Sequence, residues 1–578
     1  MSVVQVALIV RVLIAIFTRT FFQPDEYFQA LEPAHHLVFG YGHLTWEWRV
    51  SNPIRSIVYP SLNGPVFWAL KASGVSEINV LGPWLLVVLP RVLHGVLGAI
   101  TDICSYNIAR RFLGPRYATA TFLLSLTSFF NALALTRSLS NSLETSISSI
   151  AYMYYPWDAS PRLSPQLIYH KPNIIRLIIF SGLACVIRPT NAVIWVFLYA
   201  NLFWSLKGSR RTILSLVWFL CLVGGTLLSA MVLLDSLFYK EITFTSINFL
   251  YTNLSRVSTF YGHNPWHYYF SQGIPILVTT ALPFVVGGGR KAFSMREATL
   301  RNMLFTVVWT VSIYSLAGHK EWRFIHPILP LLLVLASKSL VDINEPVTKV
   351  KITANKKAQS PVSLHSTRSF IHSIRRSHLA LLALPIPAAL YVVLFYCSAP
   401  ITVMSYIRTL PSKELQEGVG FLMPCHSTPG HAYLHRPELA KSMWALGCEP
   451  PLERQNLSEY HDQTDVFYIS PKAYLEHYFP TVVNASFPLS PLSTSIPGAP
   501  APHRTIPPQT THDGVVGYPW RHEWPRRLVF FGSLLGREGV RELLISRGYV
   551  EEWKRGREWE GEGNRKGGVR VWKWDATH

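Results

Sequence analysis

Eleven apolar runs succeed one another along residues 3–400, near positions 3–17, 80–108, 117–136, 142–155, 174–188, 191–206, 212–238, 271–288, 302–318, 327–341 and 379–400. A straight helical span needs roughly 20 apolar residues. Several runs are shorter, so the count of eleven spans is an expectation of about that number. Inside a bilayer every backbone N–H and C=O must be satisfied within the segment, which makes such runs helices. Composition agrees: 49% of residues are hydrophobic and only 15% charged, against about 25% charged in a soluble protein. The same numbers exclude a disordered chain, a collagen and a coiled coil. The reading is an all-α polytopic membrane protein. The first run is interrupted by Arg11 and is followed by no small-residue cleavage site, so it reads as a signal anchor.

The net charge is +20, from 53 Lys and Arg against 33 Asp and Glu. In a soluble protein that excess suggests nucleic acid, but no basic-aromatic module is present, and no nucleic-acid partner is expected. With the N-terminus in the cytosol, the cytosolic loops hold Arg110, Arg111 and Arg116; Arg162 and Lys171; Lys207, Arg210 and Arg211; Arg290, Lys291 and Arg296; and, in the largest loop, 342–378, Lys349, Lys351, Lys356, Lys357, Arg368, Arg375 and Arg376. That is the positive-inside pattern. The other side receives 18–79, 239–270, 319–326 and 401–578, and with them all three Asn-x-Ser sequons, at Asn253, Asn456 and Asn484. Glycosylation acceptors belong in a lumen. Two units follow: a membrane domain, 1–400, and a lumenal C-terminal region, 401–578, of mixed α/β character. In that region Leu528-Val-Phe-Phe531 reads as a strand, 486–526 as a Pro-rich linker and 551–568 as a solvated surface. Of six cysteines, 104, 185, 221 and 397 lie in apolar runs and are expected to be buried; Cys425 and Cys448 lie in the polar tail, where a lumenal location permits a disulfide.

The residues that carry chemistry cluster on the lumenal side. The first stretch contains Phe22-Gln-Pro-Asp-Glu-Tyr-Phe-Gln-Ala-Leu-Glu32, then His35-His36, then Phe39-Gly-Tyr-Gly-His-Leu-Thr-Trp-Glu-Trp48 and Ile54-Arg-Ser56. Pro24 with Asp25 and Glu26 suits a first helical turn, and a seven-residue spacing puts Glu32 on the face of Asp25. Carboxylates beside a bilayer are costly and so argue for a use, although Asp25 and Glu26 also read as plain N-terminal decoration. His35 and His36 point about 100° apart on a helix, and no His or Cys pair at zinc spacing accompanies them; no metal site is expected. Tyr261-Gly-His-Asn-Pro-Trp-His-Tyr-Tyr269 offers ring stacking and hydrogen bonds to a sugar, or an interfacial aromatic belt. Gly318-His-Lys-Glu-Trp-Arg-Phe-Ile-His326 offers cations to a phosphate, or a snorkelling rim. No phosphate-binding loop, nucleophile elbow or His-Glu-x-x-His motif is present. Together the three stretches suit glycosyl transfer from a lipid phosphate. A carboxylate serves as general base on the acceptor hydroxyl. Cations stabilise the departing phosphate, which needs no strong acid.

The Pro-Asp-Glu-Tyr block, the Phe-Gly-Tyr-Gly…Thr-Trp-Glu-Trp block and the His-Lys-Glu-x-Arg-Phe turn resemble the dolichyl-phosphate-mannose-dependent mannosyltransferases of glycosyltransferase family 22, over nearly the whole chain. Within that family, Tyr261-Gly-x-x-Pro-Trp-His-Tyr-Tyr269 and Met423-Pro-Cys-His-Ser-Thr-Pro429 look most like the members that add the third, α1,2-linked mannose to the GPI-anchor precursor. The resemblance implies a GT-C helical bundle with its site on lumenal loops, an endoplasmic-reticulum location, dolichyl phosphate mannose as donor, a two-mannose GPI glycolipid as acceptor, no certain cofactor and an inverting displacement. It further implies Asp25 as general base with Glu26 beside it; His319, Lys320 and Arg323 on the donor phosphate; and Trp46, Glu47, Trp48, Trp266 and His267 shaping the sugar pocket. Phe28 departs from an expected Trp, and Gly430-His-Ala replaces a more aromatic continuation. Two rival readings stand beside this one. A sister enzyme of N-glycan lipid-precursor assembly would keep donor and mechanism. A lipid or sugar transporter is kept in view by Asp102 and Asp235, which lie in or beside apolar runs.

Overall fold

The structure is a computed structural model that describes residues 1–78, 81–294, 297–344, 374–451, 460–495 and 520–576. Most of the basic residues of the 342–378 loop, Arg296, the sequon at Asn456 and the centre of the 486–526 linker lie outside the described residues.

Each of the apolar runs is helical. Five helices among the described residues are long and apolar enough to cross a membrane: Leu81–Phe112, Arg210–Tyr239, Tyr269–Ser294, Trp322–Asn344 and Arg376–Arg408. The first has 32 residues and so runs about 48 Å at 1.5 Å per residue. Val3–Phe17 is apolar and shorter. Trp322–Asn344 is central, whereas Arg210–Tyr239 sits at the periphery and leaves Leu214, Trp218, Leu233 and Leu237 exposed, as a lipid-facing helix should. Helices close tightly where side chains are absent: a Cβ at Gly288 would collide with the backbone of Leu335, and one at Gly95 would meet the Arg11 carbonyl at 3.0 Å.

Two buried acids explain themselves structurally. Arg11 donates to both oxygens of Asp102 at 2.8 and 2.9 Å, and Ser125 Oγ adds a third bond to the same carboxylate. The pair stitches Val3–Phe17 to Leu81–Phe112. Asp235 accepts from Ser56 Oγ, Ile57 N and Thr245 Oγ1. It pins the loop at 54–57 and the Thr245–Leu254 helix to the top of Arg210–Tyr239. The transport reading leaned on these two residues, and both are fully occupied in holding helices together.

The C-terminal region carries a five-stranded sheet. Its strands are β1 (Val419–Phe421), β2 (Met443–Ala445), β3 (Arg527–Phe531), β4 (Tyr549–Arg555) and β5 (Val569–Trp574), in the order β2-β1-β3-β5-β4. β2, β1 and β3 are parallel, and β5 and β4 add on as antiparallel strands. The expected strand at 528–531 is β3. The expected solvated surface, 551–568, begins in the edge strand β4, where Glu551, Glu552, Lys554 and Arg555 are exposed. Side chains alternate across a sheet, and here both faces are covered. Val419, Phe421, Val529, Phe531, Val569 and Val571 pack toward the membrane unit, in one core with Tyr27, Leu31, Phe67 and Met404. Leu528, Phe530, Tyr549 and Trp572 pack on the opposite side, with Phe467, Tyr474 and Leu544 from the covering helices. The boundary drawn at 400/401 falls inside the Ala399–Arg408 helix, which belongs to the sheet-side core.

Cys425 and Cys448 form a disulfide. Of the other four, Cys104 is buried but Cys221 is exposed on the peripheral Arg210–Tyr239 helix. An apolar run in a membrane protein turns one face to lipid, so an apolar neighbourhood in sequence does not imply burial.

Candidate active site

The four stretches assigned by sequence to one side of the membrane meet at one end of the bundle. Arg323 donates to Asp25 Oδ2 at 2.6 Å across 298 residues of sequence. Tyr261 OH donates to the Cys448 carbonyl, and Phe260 meets Tyr460. At the opposite end Asp342 gathers Tyr117, Lys291 and Lys338.

Asp25 follows Pro24 in the turn that opens Tyr27–Leu31, a π-helical turn running straight into the Glu32–Phe39 helix. The wider turn inserts one residue and rotates everything after it. Asp25 therefore faces Arg323, while Glu32, expected on the same face, turns to the C-terminal region. Glu32 is fully buried and accepts from His43 N at 2.9 Å and Ala432 N at 2.6 Å. Burial pushes its carboxyl up to about 7, and the backbone donors only partly offset this. Glu26, adjacent to Asp25, points the other way. It is fully buried, 3.1 Å from Arg137 and 3.5 Å from Arg91, and its role is to tie the first stretch to the helices beneath. Consecutive residues on a turn diverge by about 100°, so Asp25 turns toward Arg323 and Glu26 into the frame.

The expected phosphate cations divide in the same way. Arg323 is 7% exposed, and three of its nitrogens are committed: Nε and NH2 to Glu321 at 2.6 and 2.8 Å, NH1 to Asp25. Burial pushes the Glu321 carboxyl up, but Arg323 and His319 more than offset it and hold the group well below its usual range. His319 bridges Glu321 at 3.2 Å and the Gly262 carbonyl at 3.0 Å. Lys320 is buried and donates to the Asn264 carbonyl at 2.7 Å. His319 and Lys320 thus lock the 318–326 turn to the 262–264 loop and do not converge on Asp25.

Two arginines that the sequence reading passed over do approach it. Arg55 is held by Glu47 through Nε at 3.0 Å and NH2 at 2.5 Å. Gln29, with its amide oriented by the network, links Arg55 NH2 at 2.7 Å to Asp25 Oδ2 at 3.2 Å. Arg188 contacts Glu144 at 3.3 Å and Ser140 Oγ at 2.9 Å. Arg55 and Arg188 together line a pocket of about 40 Å³, with Gln29, Trp48, Ser56 and Phe249 among the other walls. Glu47 thereby acts on Arg55, and Trp48, which donates to the Phe28 carbonyl at 3.1 Å, forms part of the wall. Trp46 lines a second pocket beside the C-terminal sheet. Trp266, 71% exposed, and His267, bonded to Ser271, line neither; their Pro265-Trp-His turn faces outward. Among the described residues one trio approaches metal-ligand spacing, Cys425, His426 and Cys448; its two sulfurs are joined to each other, which leaves a single imidazole.

The chain matches the Alg9-like mannosyltransferase family model over residues 2–435. It is 34% identical to GPI alpha-1,2-mannosyltransferase 3 of Homo sapiens, over 81% of this chain and 76% of that protein. It is 32% identical to GPI mannosyltransferase 3 of Aspergillus fumigatus, over 98% of this chain and 76% of that one. Its architecture is similar to that of ArnT from Cupriavidus metallidurans in the crystal structure bound to undecaprenyl phosphate, with a TM-score of 0.53 at 13% identity, covering 98% of this chain and 97% of that chain. The chain therefore belongs to the Alg9-like mannosyltransferase family, and it is a multi-pass membrane enzyme of the GT-C type.

Proposed function

We propose that this enzyme transfers the third, α1,2-linked mannose of the GPI anchor from dolichyl phosphate mannose to the two-mannose GPI precursor, at a site on the lumenal face of the endoplasmic reticulum membrane. The observation that carries the reading is Asp25, partly exposed, held at 2.6 Å by Arg323 and linked through Gln29 to the pocket of Arg55 and Arg188. Asp25 accepts the proton of the acceptor hydroxyl while that oxygen attacks the anomeric carbon of the mannose. The carbon–oxygen bond to phosphate breaks in the same displacement, and the electron pair leaves on the phosphate. A single displacement inverts a β-linked donor to an α-linked product. Arg323 orients Asp25. Arg55 and Arg188, flanked by the apolar Ile187 and Phe249, receive the donor phosphate, and the polyprenyl chain leaves toward the exposed apolar surface of Ile247, Leu250 and Leu237. The lumenal placement is supported by the basic loops, the sequons and a disulfide, which persists in oxidising compartments.

The test is mannose transfer in microsomes carrying Asp25→Asn. Transfer should fall at least about a hundredfold, as loss of a general base does, with protein level unchanged; retained transfer removes Asp25 from the mechanism. Depleted cells should accumulate a two-mannose GPI lipid. A shortened N-glycan precursor would assign the chain to the sister reaction.

A further inference from the structure

A second pocket, of about 170 Å³, lies where the first polar stretch meets the C-terminal sheet. Phe28, His43 and Trp46 form one wall; Phe421 and Trp444, from β1 and β2, form the other. The Met423–Pro429 block, which the chemistry above leaves unused, runs along it, and the Cys425–Cys448 disulfide joins its lips.

Charge separates this pocket from the one at Arg55 and Arg188. Among the described residues its lining includes no Lys or Arg, and Glu449 is the sole carboxylate there. A phosphate would be desolvated here without a counter-charge, whereas an uncharged polyol would not. The hydrogen-bonding groups suit a polyol. Burial lowers the pKa of His43 to about 3 and those of His426 and His431 to about 4, so all three rings are neutral at physiological pH. Each neutral ring offers one donor and one acceptor, the same pair that a sugar hydroxyl offers. His431 is 4% exposed and its Nδ1 has no partner, a buried polar atom that a bound hydroxyl would satisfy. Trp46 supplies a ring face for stacking.

The two pockets share a wall. Phe28 lines this one and Gln29 the other; Trp46 lines this one and Trp48 the other. Asp25 sits on the turn just before Phe28. We propose that the pocket bounded by His43, His426, His431, Trp46 and Trp444 is the acceptor site: it takes a neutral hexose, the terminal mannose of the glycolipid, and presents its hydroxyl to Asp25. This rests on the transfer reaction proposed above.

The experiment uses the full-length enzyme in microsomes, with dolichyl phosphate mannose and the two-mannose GPI precursor each varied in turn. His431→Ala should raise KM for the acceptor about tenfold, as loss of a hydrogen bond predicts, and leave KM for the donor unchanged. Ala445→Phe, which fills the pocket, should do the same, and His431→Gln should restore most of the loss. The unchanged donor KM separates this result from misfolding. The proposal is overturned if donor KM rises while acceptor KM holds, or if both variants keep the wild-type acceptor KM. Failure of the underlying reaction would look different: the wild type itself would show no transfer to the GPI precursor.

Discussion

Removing the Glu32 carboxylate should loosen the C-terminal region from the membrane unit. Glu32 is buried and takes two backbone N–H groups, one from the first stretch (His43) and one from the C-terminal region (Ala432). A buried N–H left without its acceptor costs about 1–3 kcal/mol. Glu32→Ala, which orphans two of them, should therefore cost about 2–6 kcal/mol, while Glu32→Gln, which keeps one acceptor oxygen, should cost about half that. The pH dependence has a definite sign. Burial raises the folded-state pKa to about 7 from an ordinary 4.5, so the folded protein holds this proton more tightly than the unfolded chain does. The stability that follows is complete below about 4.5 and is lost as pH rises through about 7. Glutamine does not titrate, so the advantage of wild type over Glu32→Gln should shrink between pH 5 and pH 8. Thermal unfolding of the detergent-solubilised enzyme, followed by tryptophan fluorescence, reads both effects, and trypsin release of the C-terminal fragment reads the loosening directly. A Glu32→Ala protein that melts with wild type at both pH values and resists trypsin equally would refute the account of this contact.

Other substitutions test neighbouring parts of the site. Arg55→Ala should raise KM for dolichyl phosphate mannose by about ten- to a hundredfold, the effect of losing a charge-assisted contact, with acceptor KM unmoved; initial-rate kinetics in microsomes decide it. Glu26→Gln should act on stability, since it breaks a buried pairing with Arg137 and Arg91 worth about 3–5 kcal/mol when one partner is removed. Immunoblots should show less protein, with both KM values of the remainder unchanged. Asn484 is exposed in the C-terminal region, and Asn484→Gln should remove one endoglycosidase-sensitive band shift; an unaltered pattern in both Asn484→Gln and Asn253→Gln would count against the lumenal assignment.

The helices were legible because apolar runs of this length have few other stable forms, and β3 was legible from Leu528-Val-Phe-Phe531. The partition of the charged residues was not. Asp25 and Glu26 are adjacent in sequence and diverge on their turn, and only long-range packing decides which meets Arg323 and which is buried among arginines. His319 and Lys320 share the turn of Arg323, yet each also reaches a carbonyl of the 262–264 loop, a long-range contact that no local pattern encodes. Arg55 stood within a stretch read for its aromatics. Arg188 closes an apolar run just before Pro189, and a charge at the mouth of a span is itself a signal of use. The pocket of His43, His426 and His431 joins residues almost 400 positions apart, so its members could be noticed singly but not assembled.

The sheet described above has no free side. Its valines and Phe421 complete the same core as Tyr27 and Leu31, a few residues from the proposed base. Deleting the tail would strip that turn of its backing and lay bare an apolar surface beside the bilayer. The polypeptide after the last long helix thus backs the proposed active centre, and a shortened enzyme ending near residue 400 should be inert as well as unstable.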